Sequence, residues 1–219
     1  QGQLQPLPEL LPGTLPSVSS GCPSDMVSIR GQFCIDRYEA SVVDARERAL
    51  SPYYPPSRDE LLHIYSVFQH VTPKNSAPPL PQPPAFALNE AFEARARSLP
   101  AVVPNGYLTG VVARRVCENA GKRLCGPAEW VTACKGQNAS KFPYGNTYAD
   151  GVCNVFRASH PAVVLYSDAS KNHLDPRLNL TGDADGPLLR KTGATPRCRS
   201  DWGSDAIYDM CGNLDEWVD

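Results

Sequence analysis

The sequence predicts an α+β fold, and three features of the chain carry that prediction. Residues 26–40 alternate apolar and polar side chains, as short β-strands do. Residues 107–136 carry two helical patterns separated by a short extended run. Much of the remainder is rich in proline, glycine and polar residues, which is typical of loops. We therefore expect an α+β domain in which loops connect a few short strands and helices.

Length and charge exclude several classes of protein. The chain has 219 residues, enough for one core domain with a tail. Its 21 Lys and Arg residues nearly balance its 23 Asp and Glu residues, which predicts no nucleic-acid partner. No apolar run approaches the roughly 20 residues that span a bilayer, so we expect no transmembrane segment. The chain begins with Gln1 rather than Met, which favours a mature product of signal-peptide removal.

The first part of the chain divides into a linker and a strand pair. Residues 1–24 contain five prolines, which predicts a linker or tether, with the domain running over 25–219. Residues 26–40 predict two strands joined at Gly31. The second strand carries charge at its end, at Asp36, Arg37 and Glu39, and we interpret these residues as members of structural ion pairs.

Residues 45–105 differ in composition, with eleven prolines. Such a stretch predicts an insertion wrapped on the surface, without a core of its own. One helical segment fits between residues 57 and 70, where Ser57 is a good N-cap. A second and weaker helical segment fits residues 88–97.

Helix signals are strongest between residues 107 and 136. Residues 107–120 place apolar side chains at helical spacing. A second helix is predicted to begin with Gly126 as N-cap and Pro127 at the first helical position. Glu129 then lies in the first turn, where a carboxylate stabilises the positive helix end. Gly136 is the predicted end of this helix.

The last third of the sequence is rich in loops. Residues 179–186 form a Gly-bounded loop with two carboxylates, a composition found in Ca²⁺ sites when other oxygens converge on it. Residues 206–219 predict a Gly-Asn turn followed by a strand that includes Trp217 and Val218. Because this strand ends the sequence in core-like residues, we expect the domain to be incomplete at its C-terminus.

The cysteines indicate disulfides. The chain has eight dispersed cysteines, no Cys-x-x-Cys pair and four scattered histidines, so the pattern is not that of a zinc site. An even number of dispersed cysteines favours disulfides and an oxidising compartment. We therefore predict an extracytoplasmic protein, secreted, periplasmic or on the cell surface. The pairing of the cysteines stays open at this point.

Several motifs, in chain order, carry a family resemblance. Residues 121–130 read Gly-Lys-Arg-Leu-Cys-Gly-Pro-Ala-Glu-Trp and residues 142–146 read Phe-Pro-Tyr-Gly-Asn. Residues 208–217 read Tyr-Asp-Met-Cys-Gly-Asn-Leu-Asp-Glu-Trp. Together with residues 33–39, these motifs resemble the formylglycine-generating enzyme family, also called the sulfatase-modifying factor family. The resemblance covers most of 26–44 and 106–219.

The resemblance implies a fold and two calcium sites. The family's fold is a variant of the C-type lectin architecture, rich in loops, with short twisted strands and two main helices. Its members hold Ca²⁺ with an Asn, the next carbonyl and an Asp-Gly loop, and a second site uses the Gly-Asn-x-x-Glu turn. By motif match, the first site falls on Asn154, Val155, Asp185 and the Pro187 carbonyl, and the second on Asn213 and Glu216.

The family's catalytic residues have no match in this sequence. Its enzymes bind one copper ion through two cysteines near the C-terminus and use O₂ to oxidise a sulfatase cysteine to formylglycine. Those cysteines follow the Glu-Trp turn, beyond Asp219. Cys117 and Cys134 match two family cysteines that pair with the same C-terminal segment. Either that segment exists as a further or separate piece, or the domain is rewired and its cysteines form other bridges. We favour the first, and expect copper to bind only with that segment.

Three functions follow as hypotheses. The first is a calcium-binding, disulfide-stabilised module that acts in binding or structure rather than catalysis, with a protein or glycan partner or a separate C-terminal fragment of the same protein. The alternative is the copper-dependent oxidase, with its cysteines on the missing segment. The third is a non-heme iron sulfoxide synthase on the same fold, for which only His63 and His70 share a helical segment.

Overall fold

The computed structural model describes residues 21–74, 76–155, 159–183 and 186–219. Over these residues the protein is an α+β fold with five α-helices, one 3₁₀ helix and four antiparallel pairs of short strands. The predicted α+β class is therefore confirmed. Most of the predicted linker, up to residue 20, lies outside the described residues.

The N-terminal hairpin forms as predicted. Strand β1 (Met26–Ile29) pairs antiparallel with β2 (Phe33–Asp36), so that Val27 lies opposite Ile35. Gly31 in the turn has φ of +70°, a conformation that glycine adopts without steric cost. A disulfide between Cys22 and Cys34 ties the preceding segment to β2.

Residues 45–105 connect two paired strands and add two helices. Strand β3 (Ala40–Asp44) pairs with β4 (Ala94–Ser98), and helices α1 (Arg58–Gln69) and α2 (Ala85–Asn89) lie between them in sequence. Helix α1 confirms the helix predicted over residues 57–70. The helix predicted over 88–97 is wrong, because the chain leaves α2 and joins β3 as a strand.

The prediction that residues 45–105 lack a core of their own is also wrong. Helix α1 buries Leu61, Ile64 and Phe68, which are spaced three and four apart and so share one face. They pack in one cluster with other side chains mainly from the same region: Val42, Leu50, Tyr54, Ala87, Ala94, Ala96 and Val116. The prolines lie in the connections between elements and leave this face intact.

Two further helices confirm the strongest sequence signals. Helix α3 (Gly110–Asn119) begins after Thr109, and α4 (Pro127–Lys135) begins after Gly126. The Glu129 carboxylate accepts a hydrogen bond from the Gly126 backbone N–H at 2.8 Å. Hydrogen bonds from Arg123 and from that N–H lower the pKa of Glu129 to about 2. The predicted stabilisation of the α4 N-terminus by this carboxylate is thus confirmed.

The remaining elements are short. They are α5 (Pro161–Tyr166), a 3₁₀ helix (Pro176–Leu180), β5 (Gly182–Asp183), β6 (Gly186–Pro187), β7 (Arg199–Trp202) and β8 (Asp205–Tyr208). A second core lies between the N-terminal hairpin, α4 and the β7–β8 hairpin, formed by Val27, Ile29, Ile35, Ala133, Trp202, Ile207 and Met210.

The strand predicted around Trp217 does not form. Residues 209–219 run as turns and irregular backbone after β8. Trp217 is instead held by its side chain, because its indole Nε1 donates to the Leu108 carbonyl at 3.0 Å. Within the described parts of the chain, no helix has the length and apolar character that crossing a membrane requires.

Candidate binding cavity

A cavity of about 1120 Å³ opens between the N-terminal hairpin, α3, the start of α4 and the C-terminal segment 207–217. Its walls are largely apolar and include Met26, Phe33, Leu108, Val116, Leu124 and Trp130. Such a concave apolar surface with a few polar groups is typical of a ligand-binding site.

Helix α3 supplies one wall because of its residue spacing. Ala113, Val116 and Cys117 recur at three and four residues, so one face of the helix lines the cavity. Lys122, beyond the end of α3, is held by Asp36 at 2.6 Å and by Asp25 at 3.0 Å. The interpretation of Asp36 as an ion-pair residue is thereby confirmed.

Glu39 is a buried carboxyl group on the cavity wall and is 8% exposed. Its oxygens accept hydrogen bonds from Asn213 Nδ2 at 2.6 Å and from the Leu214 backbone N–H at 3.1 Å. Burial outweighs these bonds and raises the pKa of Glu39 to about 9. Glu39 is therefore uncharged at neutral pH, and its interpretation as an ion-pair residue is wrong.

Glu216 also lines the cavity, and its carboxylate accepts a hydrogen bond from the indole Nε1 of Trp130. The residue as a whole is exposed. Desolvation of its carboxylate raises the pKa of Glu216 to about 7, while the bond from Trp130 opposes the shift. At neutral pH this carboxyl group is thus partly protonated.

Two free thiols also line the cavity, those of Cys117 and Cys125. Burial raises the pKa of both, that of Cys125 to about 11, so both are protonated at neutral pH. Cys117 is one of the two cysteines expected to need a partner outside this sequence. Cys134, the other, is also free but is not part of the cavity wall.

The structure brings together one residue from each predicted calcium site. Asn154 Nδ2 donates to Asn213 Oδ1 at 2.8 Å, and the Asn213 backbone N–H donates to the Asn154 carbonyl at 3.0 Å. Asn154 Nδ2 also donates a hydrogen bond to the carbonyl oxygen of Leu188 at 2.8 Å. Two other predicted ligands are sequence neighbours of these residues, since Val155 follows Asn154 and Pro187 precedes Leu188. Asp185 lies outside the described residues.

Glu216 is placed differently from the other predicted calcium ligands. Asn213 contacts Asn154, Glu39 and Arg190, whereas the carboxylate of Glu216 contacts Trp130. Across the described ranges, no group of three or more His, Cys, Asp or Glu side chains is arranged to hold a metal ion. The first predicted calcium site includes Asp185, which lies outside the described residues, and it stays a prediction.

Sequence reasoning missed the partnership between Glu39 and Asn213, which lie 174 residues apart. The sequence shows a carboxylate, Glu39, soon after a strand, but it does not show which distant amide group donates a hydrogen bond to that carboxylate. The cavity itself was also not predicted, since it is the space that four non-adjacent segments leave between them.

Replacing Gly212 by alanine is expected to destabilise the protein by about 3 kcal/mol or more. Gly212 has φ of +78°, and a Cβ there would lie 2.5 Å from the Asn154 carbonyl oxygen, in the turn that joins Asn154 to Asn213. Strained backbone costs about 1 kcal/mol or more, and the clash adds to it. Gly31→Ala is the matched control, because Gly31 has φ of +70° with open space around it. Equal losses for the two variants in urea unfolding would contradict the proposed clash.

The site is therefore an open, largely apolar cavity whose wall also carries two protonated thiols, the Glu39 and Glu216 carboxyl groups, and the ion pairs Lys122–Asp36 and Arg123–Glu129. These groups suit binding by apolar contact and hydrogen bonds. Comparison of the chain with protein-family models, with curated proteins and with solved structures finds no significant match.

Proposed function

We propose that this chain is a non-catalytic, extracytoplasmic binding module on the scaffold of the formylglycine-generating enzyme family, a C-type-lectin-like variant. Its cavity takes an extended polypeptide segment. The cavity of about 1120 Å³ with its largely apolar wall is the observation that carries this proposal. The motifs at residues 121–130 and 208–217 support the scaffold. The disulfides Cys22–Cys34 and Cys153–Cys198 support an oxidising compartment.

The size and chemistry of the cavity favour a polypeptide. Its volume exceeds the roughly 300–1,000 Å³ of small-molecule pockets. The protonated Glu39 carboxyl group carries a hydroxyl, which is the kind of group that donates to a backbone carbonyl. A glycan suits this wall less well, because its hydroxyls would lose hydrogen bonds to water against apolar side chains.

The family resemblance also specifies which polypeptide is the first to test. It is the segment that in the family follows the Glu-Trp turn, carried by the same protein or by a separate fragment. Cys117 lies on the cavity wall, where a cysteine of that segment would reach it. The copper-oxidase alternative depends on the same segment and stays a prediction.

A peptide-binding experiment tests the proposal. Displayed random peptides are selected on the protein, and the dissociation constants of the selected peptides are measured by calorimetry. Cys117→Trp fills the cavity from α3 and is expected to weaken binding at least tenfold. Cys117→Ser is the matched control, since it removes the same thiol but keeps the cavity open, and it is expected to bind like the unmodified protein.

Two outcomes would overturn the proposed function. Failure to select any peptide, with selection of a glycan from an array instead, would assign the cavity to carbohydrate. Equal binding to Cys117→Trp and Cys117→Ser would place the peptide site elsewhere on the surface. Circular dichroism of both variants confirms that each is folded before binding is compared.

Calcium binding through Asn154, Val155, Asp185 and Pro187 is the second part of the proposal. A ligand bound only to the folded state stabilises it by about 2.7 kcal/mol at one hundred times its dissociation constant. We therefore expect a calcium chelator to lower the melting temperature, and added Ca²⁺ to restore it. The same melting temperature with and without chelator would remove both proposed calcium sites.

A further inference from the structure

The free cysteine Cys134 contacts the backbone directly before a second free cysteine, Cys211. The thiol of Cys134, on α4, is 3.6 Å from the carbonyl oxygen of Met210. Cys211 is the next residue, and standard backbone geometry puts its Cα within about 6.5 Å of the Cys134 sulfur. Burial raises the pKa of Cys134 to about 11, and the charge of the neighbouring Cys211 adds to the shift.

The surroundings distinguish this pair from the other two free thiols. Cys134 and Cys211 are both half-buried, so a small reagent can reach them. Cys117 lies beside Asp36 and Lys122, and Cys125 beside Glu129 and Glu216. Of the four free cysteines, Cys134 is thus the one whose surroundings include a second free thiol.

We propose that Cys134 and Cys211 are a redox-sensitive pair that closes to a third disulfide. The oxidant is a small disulfide such as oxidised glutathione. The thiolate of one cysteine attacks this disulfide, a mixed disulfide forms and one glutathione thiolate leaves. The second cysteine then attacks the protein sulfur, the Cys134–Cys211 bond forms and a second glutathione leaves. The protein loses two protons and two electrons, and the glutathione disulfide gains both.

The bond would act on the candidate cavity. Cys134 belongs to α4, whereas Cys211 precedes the segment whose Leu214 and Glu216 line the cavity. Oxidation therefore fixes this cavity wall to the helix, and reduction releases it. The inference itself depends on the contact at Met210 and not on the cavity binding a peptide. A C-terminal segment whose cysteine paired with Cys134 would compete with this bond, so the inference is tested on the protein without that segment.

Disulfide mapping tests the pair directly. The folded protein, with Cys22–Cys34 and Cys153–Cys198 intact, is incubated with oxidised glutathione, alkylated, digested without reduction and analysed by mass spectrometry. We expect an intact mass lower by two hydrogen atoms and a linked peptide pair containing Cys134 and Cys211. A thermal scan before and after oxidation is expected to show a higher melting temperature for the oxidised form.

Two variants keep the result decisive. A Cys117→Ser, Cys125→Ser double variant is expected to form the same crosslink, and Cys134→Ser is expected to lose it. Stable glutathione adducts on separate cysteines would overturn the proposal, as would a link from Cys134 to Cys117 or Cys125. A link between Cys198 and Cys211 would also overturn it. Cys198 Sγ lies 3.4 Å from the Cys211 carbonyl oxygen, and thiol–disulfide exchange between these two residues would leave Cys134 without a partner.

Discussion

The free energy of unfolding should fall by about 1.4 kcal/mol for each pH unit between about pH 5 and pH 9, owing to one buried carboxyl group. Burial raises the pKa of Glu39 to about 9 in the folded state, whereas the ordinary value is 4.5. Between these values the folded protein holds a proton that the unfolded chain has lost. The stability that Glu39 contributes is therefore full below pH 4.5 and declines as the pH rises through this range.

Urea unfolding at several pH values measures this slope. Burial also raises the pKa of Glu216 to about 7 and those of Asp36 and Asp209 above their ordinary value, and all three steepen the slope at lower pH. The range from about pH 7.5 to pH 8 therefore isolates Glu39 best, because the four free thiols, whose pKa values are also raised, steepen the slope above it.

Glu39→Gln should flatten the slope in that range. Its amide does not ionise. The substitution costs about 1 kcal/mol because an NH₂ donor replaces one of the two oxygens that accept from Asn213 and Leu214. Glu47→Gln changes an exposed glutamate whose pKa is lowered, and should leave the slope unchanged. A Glu39→Gln protein that keeps the full slope would show that Glu39 ionises normally.

Replacing Asp175 by alanine should cost about 3–5 kcal/mol, because it leaves a buried guanidinium group without its partner. The Asp175 side chain is 0% exposed, and that of Arg177 is 6% exposed. The carboxylate lies 2.8 Å from Arg177 Nη2 and also accepts from the Tyr166 hydroxyl. Arg177 in turn donates to the Val71 carbonyl at 3.1 Å, which joins this region to the segment after α1.

The matched control for Asp175→Ala is an exposed pair. Glu93→Ala removes the ion pair between Glu93 and Arg95. The Glu93 side chain is 54% exposed and that of Arg95 is 38% exposed, so the change should cost less than about 1 kcal/mol. An Asp175→Leu, Arg177→Met double variant should recover part of the loss, because no buried charge remains. A loss below about 1 kcal/mol for Asp175→Ala would mean that Arg177 finds another partner or water.

Local signals predicted the elements that depend on local physics. The α3 and α4 boundaries follow from Thr109, Gly126 and Pro127, whose backbone preferences act over one turn. The N-terminal hairpin follows from alternation and from Gly31. The β7–β8 hairpin lay in a region predicted only as loops and a turn.

Elements that depend on distant partners were not predictable from the sequence. Residues 94–98 read Ala-Arg-Ala-Arg-Ser, whose alanine and arginine residues favour helix. They form a strand because β3, some 50 residues earlier, supplies the hydrogen-bonding partner. The strand predicted around Trp217 fails for the converse reason, since a strand needs a partner and the side chain bonds to Leu108 instead.

The candidate site was predictable only in part. Motif matching put Asn154 and Asn213 in calcium sites, and the structure places these two in contact. Motif matching also put Asn213 and Glu216 in one calcium site, whereas in the structure Asn213 donates a hydrogen bond to the carboxyl group of Glu39. Sequence spacing does not encode such a choice, because it depends on how the hairpin and the C-terminal segment pack.

Alkylation of Cys117 in the folded protein, with and without a selected peptide, tests the binding cavity most directly. Mass spectrometry follows the labelling of each free thiol in mildly alkaline buffer. The peptide is expected to slow the labelling of Cys117 and Cys125, which line the cavity, at least tenfold. Labelling of Cys134, which lies outside the cavity wall, is expected to stay the same. Unchanged labelling of Cys117 at saturating peptide would contradict the proposal that the cavity binds a polypeptide.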